Sequence, residues 1–242
     1  MQITQHGSYL TQLTRFPRMF PVNCYLVSDE DGLTLIDAAI PGSEQAILAA
    51  ARKLGQPIRR IVLTHAHGDH LGSLDALSRL LPEAEVIASA RDARFLAGDM
   101  RLDPNEPQSK LRGAYQKVAT TPSRLVADGD RIGSLLVVAT PGHTPGHIAL
   151  FDQRDSSLIA GDALQTRAGI AVSGTLRLLF PFPALATWHR PSALASARRL
   201  HGLNPARLAV GHGAVLEQPQ EAMDKAIAVA AQEIGEVTAH GA

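Results

Sequence analysis

Three histidines and an aspartate crowd the six residues His65-Ala66-His67-Gly68-Asp69-His70. Imidazole and carboxylate cost free energy when buried without partners, so this stretch is poor material for a core. Ile58–Leu63 before it reads as a short buried strand, and Leu71–Leu81 after it as a helix stopped by Pro82. The stretch is therefore the loop leaving a strand end, the place where α/β proteins bind ligands. Its residue types point to a metal. His65 and His67 are two apart, so in an extended segment they face the same way and can share one ion. Gly68 is read as a sharp turn that lets Asp69 and His70 address a second point nearby.

Other strand ends add to the set. Cys24–Val27 and Leu33–Ile36 form a hairpin around Asp29-Glu30-Asp31-Gly32, and Asp37 ends its second arm. Asp37 reads either as a helix-capping carboxylate or as a support for the histidine loop. His143 follows the strand Leu135–Val138, Asp162 follows Leu158–Ala160, and His212 follows Arg207–Val210. His65, His67, Asp69, His70, His143, Asp162 and His212 are too many donors for one tetrahedral ion. They suit two ions with one carboxylate bridging. Imidazole-rich N/O ligation favours zinc, with iron, manganese or cobalt as alternatives. His147 is read as a hydrogen-bonding support, and His6, His201 and His240 as surface residues. His189 is read either as pocket lining or as a structural contact.

Strands alternating with helices at Ser43–Leu54, Ala90–Ala97, Ser192–Leu200 and Gln218 to about Val237 argue α/β layering. Two successive blocks suggest two sheets facing each other with helices outside. Residues 98–124, broken by Pro104, Pro107 and Pro122, read as a partly helical lid or inserted loop. Residues 163–190 form an apolar, proline-containing stretch that could wall a cleft through Phe180 and Phe182. At 242 residues the chain suits one domain, and 23 basic residues balance 23 acidic ones. Arg59-Arg60 and Arg198-Arg199 are only doublets, so neither nucleic acid nor a membrane is an expected partner. The one cysteine, Cys24, cannot form an intramolecular disulfide. The N-terminus lacks both the basic and the apolar run of a signal peptide, so a cytoplasmic protein is expected.

The motif His65-x-His67-x-Asp69-His70, followed in order by His143, Asp162 and His212, resembles the metallo-β-lactamase superfamily. The resemblance runs from Asp37 to His212. It implies a four-layer αβ/βα sandwich of two mixed β-sheets, with helices on the outer faces and metals at one edge. It also implies one divalent ion on His65, His67 and His143, and another on Asp69, His70 and His212, with Asp162 bridging. The expected chemistry is attack of an activated water on a carbonyl, with Asp69 as catalytic proton carrier and Asp37 as support. Within the superfamily, Asp162 after Gly161 resembles the branch of the second glyoxalase and the acyl-homoserine-lactone lactonases. Where those lactonases carry a tyrosine three residues past the bridging aspartate, this chain has Gln165, a candidate substrate contact beside Phe180 and Phe182. The implied substrate is a small ester, lactone or thioester with an apolar portion. A mononuclear iron persulfide dioxygenase and a non-catalytic metal-stabilised binding protein are the alternatives, and a homodimer stays open.

Overall fold

The computed structural model describes residues 1–235. Val237, the expected end of the last helix, and His240 lie outside the described residues. The first half contains β1 (Gln2–His6), β2 (Leu10–Arg15), β3 (Val22–Asp29), β4 (Gly32–Ile36), β5 (Ile58–Val62), β6 (Glu85–Ser89) and β7 (Arg124–Val126). They form one sheet in that spatial order. The first four strands make an antiparallel meander, and β4 to β7 run parallel. Parallel pairs need crossover connections. These hold α1 (Glu44–Leu54), α2 (Gly68–Leu71), α3 (Leu74–Leu80) and α4 (Ala90–Leu96).

The second half adds β8 (Arg131–Ile132), β9 (Leu135–Ala139), β10 (Ile148–Asp152), β11 (Ser157–Ile159), β12 (Leu164–Gln165), β13 (Ala171–Val172), β14 (Arg207–Ala209) and β15 (Leu216–Glu217). The second large sheet runs β15-β14-β11-β10-β9-β8, and β12 and β13 pair separately. Its helices are α5 (Phe182–Leu185), α6 (Arg190–His201) and α7 (Gln220–Glu233).

Side chains alternate across a strand, and here both faces are buried. Inward, Tyr25, Val27, Ile36, Val62 and Ile87 of the first sheet meet Val137, Ile148, Leu150 and Ile159 of the second. Outward, Leu26, Leu35 and Ile61 pack on Ile47 of α1, Leu74 and Leu77 of α3, and Phe95 of α4. Val138, Ala149 and Leu208 pack on Leu194 and Ala197 of α6 and Met223 of α7. Helix, sheet, sheet and helix give the expected αβ/βα sandwich. Asn23 and Tyr25 stitch the two sheets at one end, donating to the Val210 carbonyl at 2.8 and 2.7 Å. Among the described residues no helix is long and apolar enough to cross a membrane.

Two local expectations need correction. The helix read over Leu71–Leu81 is interrupted, because Ser73 Oγ donates to the Ile40 carbonyl and accepts the Ser43 N–H. Those bonds tie the chain to the α1 entry, and α3 starts only at Leu74. Residues 98–123 contain no helix. Their bonds go instead to distant partners, such as Gly68 N–H to the Ala114 carbonyl and Trp188 Nε1–H to the Ser109 carbonyl.

Candidate metal centre

The seven residues expected to bind metal converge at the seam where the two sheets end. His65, His67 and His143 bring ligand atoms within 4.8 Å of one another, as do Asp69, His70 and His212. His65, His70 and Asp162 form a third such group. Asp162 stands between the first two groups: Oδ2 lies 3.4 Å from His143 Nε2 and 3.2 Å from His212 Nε2, and Oδ1 lies 3.4 Å from His70 Nε2. Asp69 Oδ2 is 3.3 Å from His212 Nε2.

Hydrogen bonding fixes which nitrogen of each imidazole keeps a lone pair. His70 Nδ1–H donates to Asp37 Oδ2 at 2.8 Å, His212 Nδ1–H to the Pro21 carbonyl at 2.7 Å, and His67 Nε2–H to the Arg112 carbonyl at 3.0 Å. The Thr64 hydroxyl donates to Asp37 at 2.8 Å, so its oxygen accepts His65 Nδ1–H at 3.0 Å. Thr187 donates to the Pro183 carbonyl and Ser173 to Thr187, so Ser173 accepts His143 Nδ1–H at 2.8 Å. The lone pairs left over are His65 Nε2, His67 Nδ1, His70 Nε2, His143 Nε2 and His212 Nε2, and His67 Nδ1 and His143 Nε2 face each other at 3.0 Å. Three fully buried atoms of the cluster, His65 Nε2, His70 Nε2 and Asp162 Oδ1, have no hydrogen-bond partner. Orphaned donors and acceptors of this kind are what a cation would satisfy, so the residues fit a metal.

The charge balance agrees. Burial pushes His65 and His143 well below the usual imidazole range and His67 down to about 4, so these three are neutral at pH 7, as metal ligation would require. Burial also opposes charge on His70 and His212. The carboxylates outweigh it, Asp162 and Asp37 holding His70 well above the usual range and Asp162 raising His212 to about 10. The same histidines keep Asp69 and Asp162 ionised against burial. The carboxylates thus call for positive charge at the seam, from protons or from metal.

Asp37 supports the loop as expected, and does so from a left-handed backbone (φ 61°) that is costly for a residue with a side chain. His147 is fully used: Nε2 accepts the Asp162 N–H at 3.1 Å and Nδ1 meets Thr140 Oγ at 2.7 Å. His189 caps α6 by accepting the Ser192 N–H. Gly68 has ordinary backbone angles and is no sharp turn; it starts α2 beneath the Ala114 carbonyl. Glycine matters more at Gly113 and Gly211, where a Cβ would overlap the His67 ring and Asp162 Oδ1 respectively.

A cleft of about 540 Å³ opens over the cluster, walled by Phe20, Phe182, Pro183 and Leu185, by Ile40 and Pro41, and by Gly113, Ala114 and Gln116. Phe182 lines it as expected. Phe180 is 1% exposed and stands behind, its ring 5.4 Å from Phe182 and 5.5 Å from His212. The expected substrate contact Gln165 does not line this cleft: it is buried in β12, paired with Ala171.

Sequence reasoning missed Asp92. Its carboxylate accepts the Ala66 N–H at 2.9 Å, the Thr144 hydroxyl at 2.8 Å and the Gly146 N–H at 2.8 Å. It thereby ties the His65–His67 loop of one sheet to the His143 loop of the other. Burial pushes its pKa up to about 6, against the pull of those three donors. The available signal, Ser89 three residues before Asp92, reads as a helix capping box. Ser89 does accept the Asp92 N–H, but the Asp92 side chain serves the metal loops.

Comparison with known proteins places this arrangement. The sequence profile of the Metallo-beta-lactamase superfamily matches residues 17–212. The chain is 52% identical to "Uncharacterized protein YobT" of Bacillus subtilis, covering 94% of this chain and 97% of that one. It is 31% identical to "Probable metallo-hydrolase YflN" of the same organism, over 78% of each. Among solved structures, a metallo-beta-lactamase from Pontibacter korlensis superposes with TM-score 0.71 at 20% identity, over 95% of this chain and 98% of that one. TTHA1623 in a di-iron-bound form superposes with TM-score 0.64 at 28% identity, over 87% and 96%.

Proposed function

The chain belongs to the metallo-beta-lactamase superfamily, and from that premise we propose a binuclear metal hydrolase of a small carboxylic ester, lactone or thioester with an apolar portion. One observation carries the reading: five imidazole lone pairs and two carboxylates meet at the floor of a cleft with apolar walls. His65, His67 and His143 would hold one ion and Asp69, His70 and His212 the other, with Asp162 between. When bound, such ions supply an activated water and polarise the scissile carbonyl. The protein's part is positional. Asp37, Arg112, Ser173 and Pro21 fix the four rings they touch, and Asp92 fixes the spacing of the loops. Both carboxylates line the cleft, Asp69 half-buried and Asp162 fully buried. Asp69 is therefore the carboxylate placed to take a proton from the attacking water and pass it to the leaving group. Phe20, Phe182 and Leu185 would receive the apolar part of the substrate and exclude bulk water. The chain acts as one domain in this reading.

The zinc assignment rests on the imidazole-rich set, and iron is the competitor. Elemental analysis of purified protein, with a screen of aryl esters, lactones and thioesters, tests the proposal. Two ions per chain and turnover that vanishes in His67→Ala and Asp162→Ala are expected, with circular dichroism confirming that the variants fold. One iron per chain with oxygen consumption would instead establish the dioxygenase reading, and unchanged rates in the variants would end the hydrolase one.

A further inference from the structure

Residues 1–28 and 163–216 contain eight arginines and neither lysine nor acid. The fold brings parts of these two stretches together beside the cleft mouth. After β2 the chain turns through Phe16, at φ 48°, closed by Met19 N–H on the Phe16 carbonyl. Phe20 then packs inward on Phe180 and Phe182, with ring centroids 5.1 and 5.0 Å apart. That contact seats the turn against residues 176–182. Other large apolar side chains of the turn and of residues 176–182 are left largely to solvent: Phe16 is 53%, Met19 83%, Leu178 86% and Leu179 89% exposed. Leu178 and Leu179 do not line the cleft, so substrate binding does not account for them.

Arginines flank this rim. The Arg15 guanidinium lies 5.3 Å from the Phe16 ring centroid. Arg167 donates to the Arg18 carbonyl and Arg177 to the Ile170 carbonyl. Arg18 and Arg167 also line a hollow of about 530 Å³ behind the turn, with Gln12, Thr14 and Thr166. Apolar side chains that enter the acyl boundary, beside cations that meet phosphates, are the two components of interfacial binding. In the sequence Arg15 and Arg18 lie far from Arg167 and Arg177, which is why charge runs do not reveal them.

We propose that this rim docks on a lipid bilayer bearing anionic headgroups. Phe16, Met19, Leu178 and Leu179 enter the interface, and Arg15, Arg18, Arg167 and Arg177 meet the phosphates. A second copy of the chain is the poorer occupant. Two-fold pairing of this rim sets arginine against arginine, with no carboxylate on either contributing stretch. The inference does not depend on the reaction catalysed.

Co-sedimentation with vesicles tests it. The full chain is expected to bind phosphatidylcholine vesicles containing phosphatidylglycerol, to release them in high salt, and to ignore pure phosphatidylcholine. Leu178→Ser/Leu179→Ser should cut binding about tenfold or more, given the apolar area withdrawn, with folding and melting temperature unchanged. Failure of the wild type to bind anionic vesicles overturns the proposal, as does undiminished binding by the variant. A wild-type dimer in sedimentation velocity that the variant dissolves, with no vesicle binding by either, would give the rim to a second copy instead.

Discussion

Replacing Asp92 by asparagine changes one atom and should disturb both the stability and the metal affinity of the protein. All three outward partners of Asp92 are donors, the Ala66 and Gly146 N–H groups and the Thr144 hydroxyl. The hydroxyl can turn elsewhere, whereas an amide can accept only on its oxygen side. One backbone N–H is then left facing the new NH₂, at a cost of about 1–3 kcal/mol. For a chain of this size that lowers the melting temperature by about 2–10 °C. The displaced loops carry His65, His67 and His143, so metal affinity should fall about 10–100-fold. The pH dependence sharpens the test. Burial raises the Asp92 pKa from 3.8 to about 6 in the folded state, so the native protein holds this proton more tightly than the unfolded chain. The resulting stability is fully present below pH 3.8 and is lost as pH rises through 6, about 3 kcal/mol in all. Denaturant melts of chelator-treated wild type and Asp92→Asn, taken from pH 4 to pH 7, should show the wild-type advantage growing on acidification. Equal melting temperatures at pH 7, or an advantage that shrinks in acid, would refute this account of Asp92.

Further outcomes follow from the same geometry. Gly113→Ala forces a Cβ into the His67 ring from a left-handed backbone (φ 89°). Isothermal titration should find metal binding weakened tenfold or more, with about 1 kcal/mol lost from folding. Chelation of the loaded protein should lower its melting temperature in a metal-dependent way, by the ~4 kcal/mol that a ligand at a thousandfold its Kd contributes. Asp69→Asn removes the more exposed of the two carboxylates lining the cleft; steady-state kinetics should show kcat falling about 10²–10⁴-fold, the usual scale of proton-transfer catalysis, with the fold intact by circular dichroism.

The histidine loop was legible because metal ligands combine rare residue types with a position at strand ends, and His143, Asp162 and His212 share that position. The αβ/βα layering was legible from strand and helix rhythm. What tertiary contacts decide was not. Asp92 carries a local signature that argues for a helix cap, and its other partners lie 26 to 54 residues away. Residues 98–123 look like a lid by composition, yet the Arg112 carbonyl and Gly113 touch His67 directly. Gln165 stands at a position that a resemblance made promising, and the pairing of β12 with β13 turns it into buried structure.

His65, His67, Asp69 and His70 hang from the first sheet, and His143, Asp162 and His212 from the second. An ion held across that seam would be a crosslink, closing a loop from residue 67 to residue 143 as a disulfide would. The two sheets then cannot open separately. Hydrogen exchange in the loaded protein should report one cooperative unit, and in the stripped protein two, with the amides around Thr64 and Ile148 among the first to exchange. Catalytic metal and mechanical clasp would be one object, and an inactive apoprotein would also be a looser one.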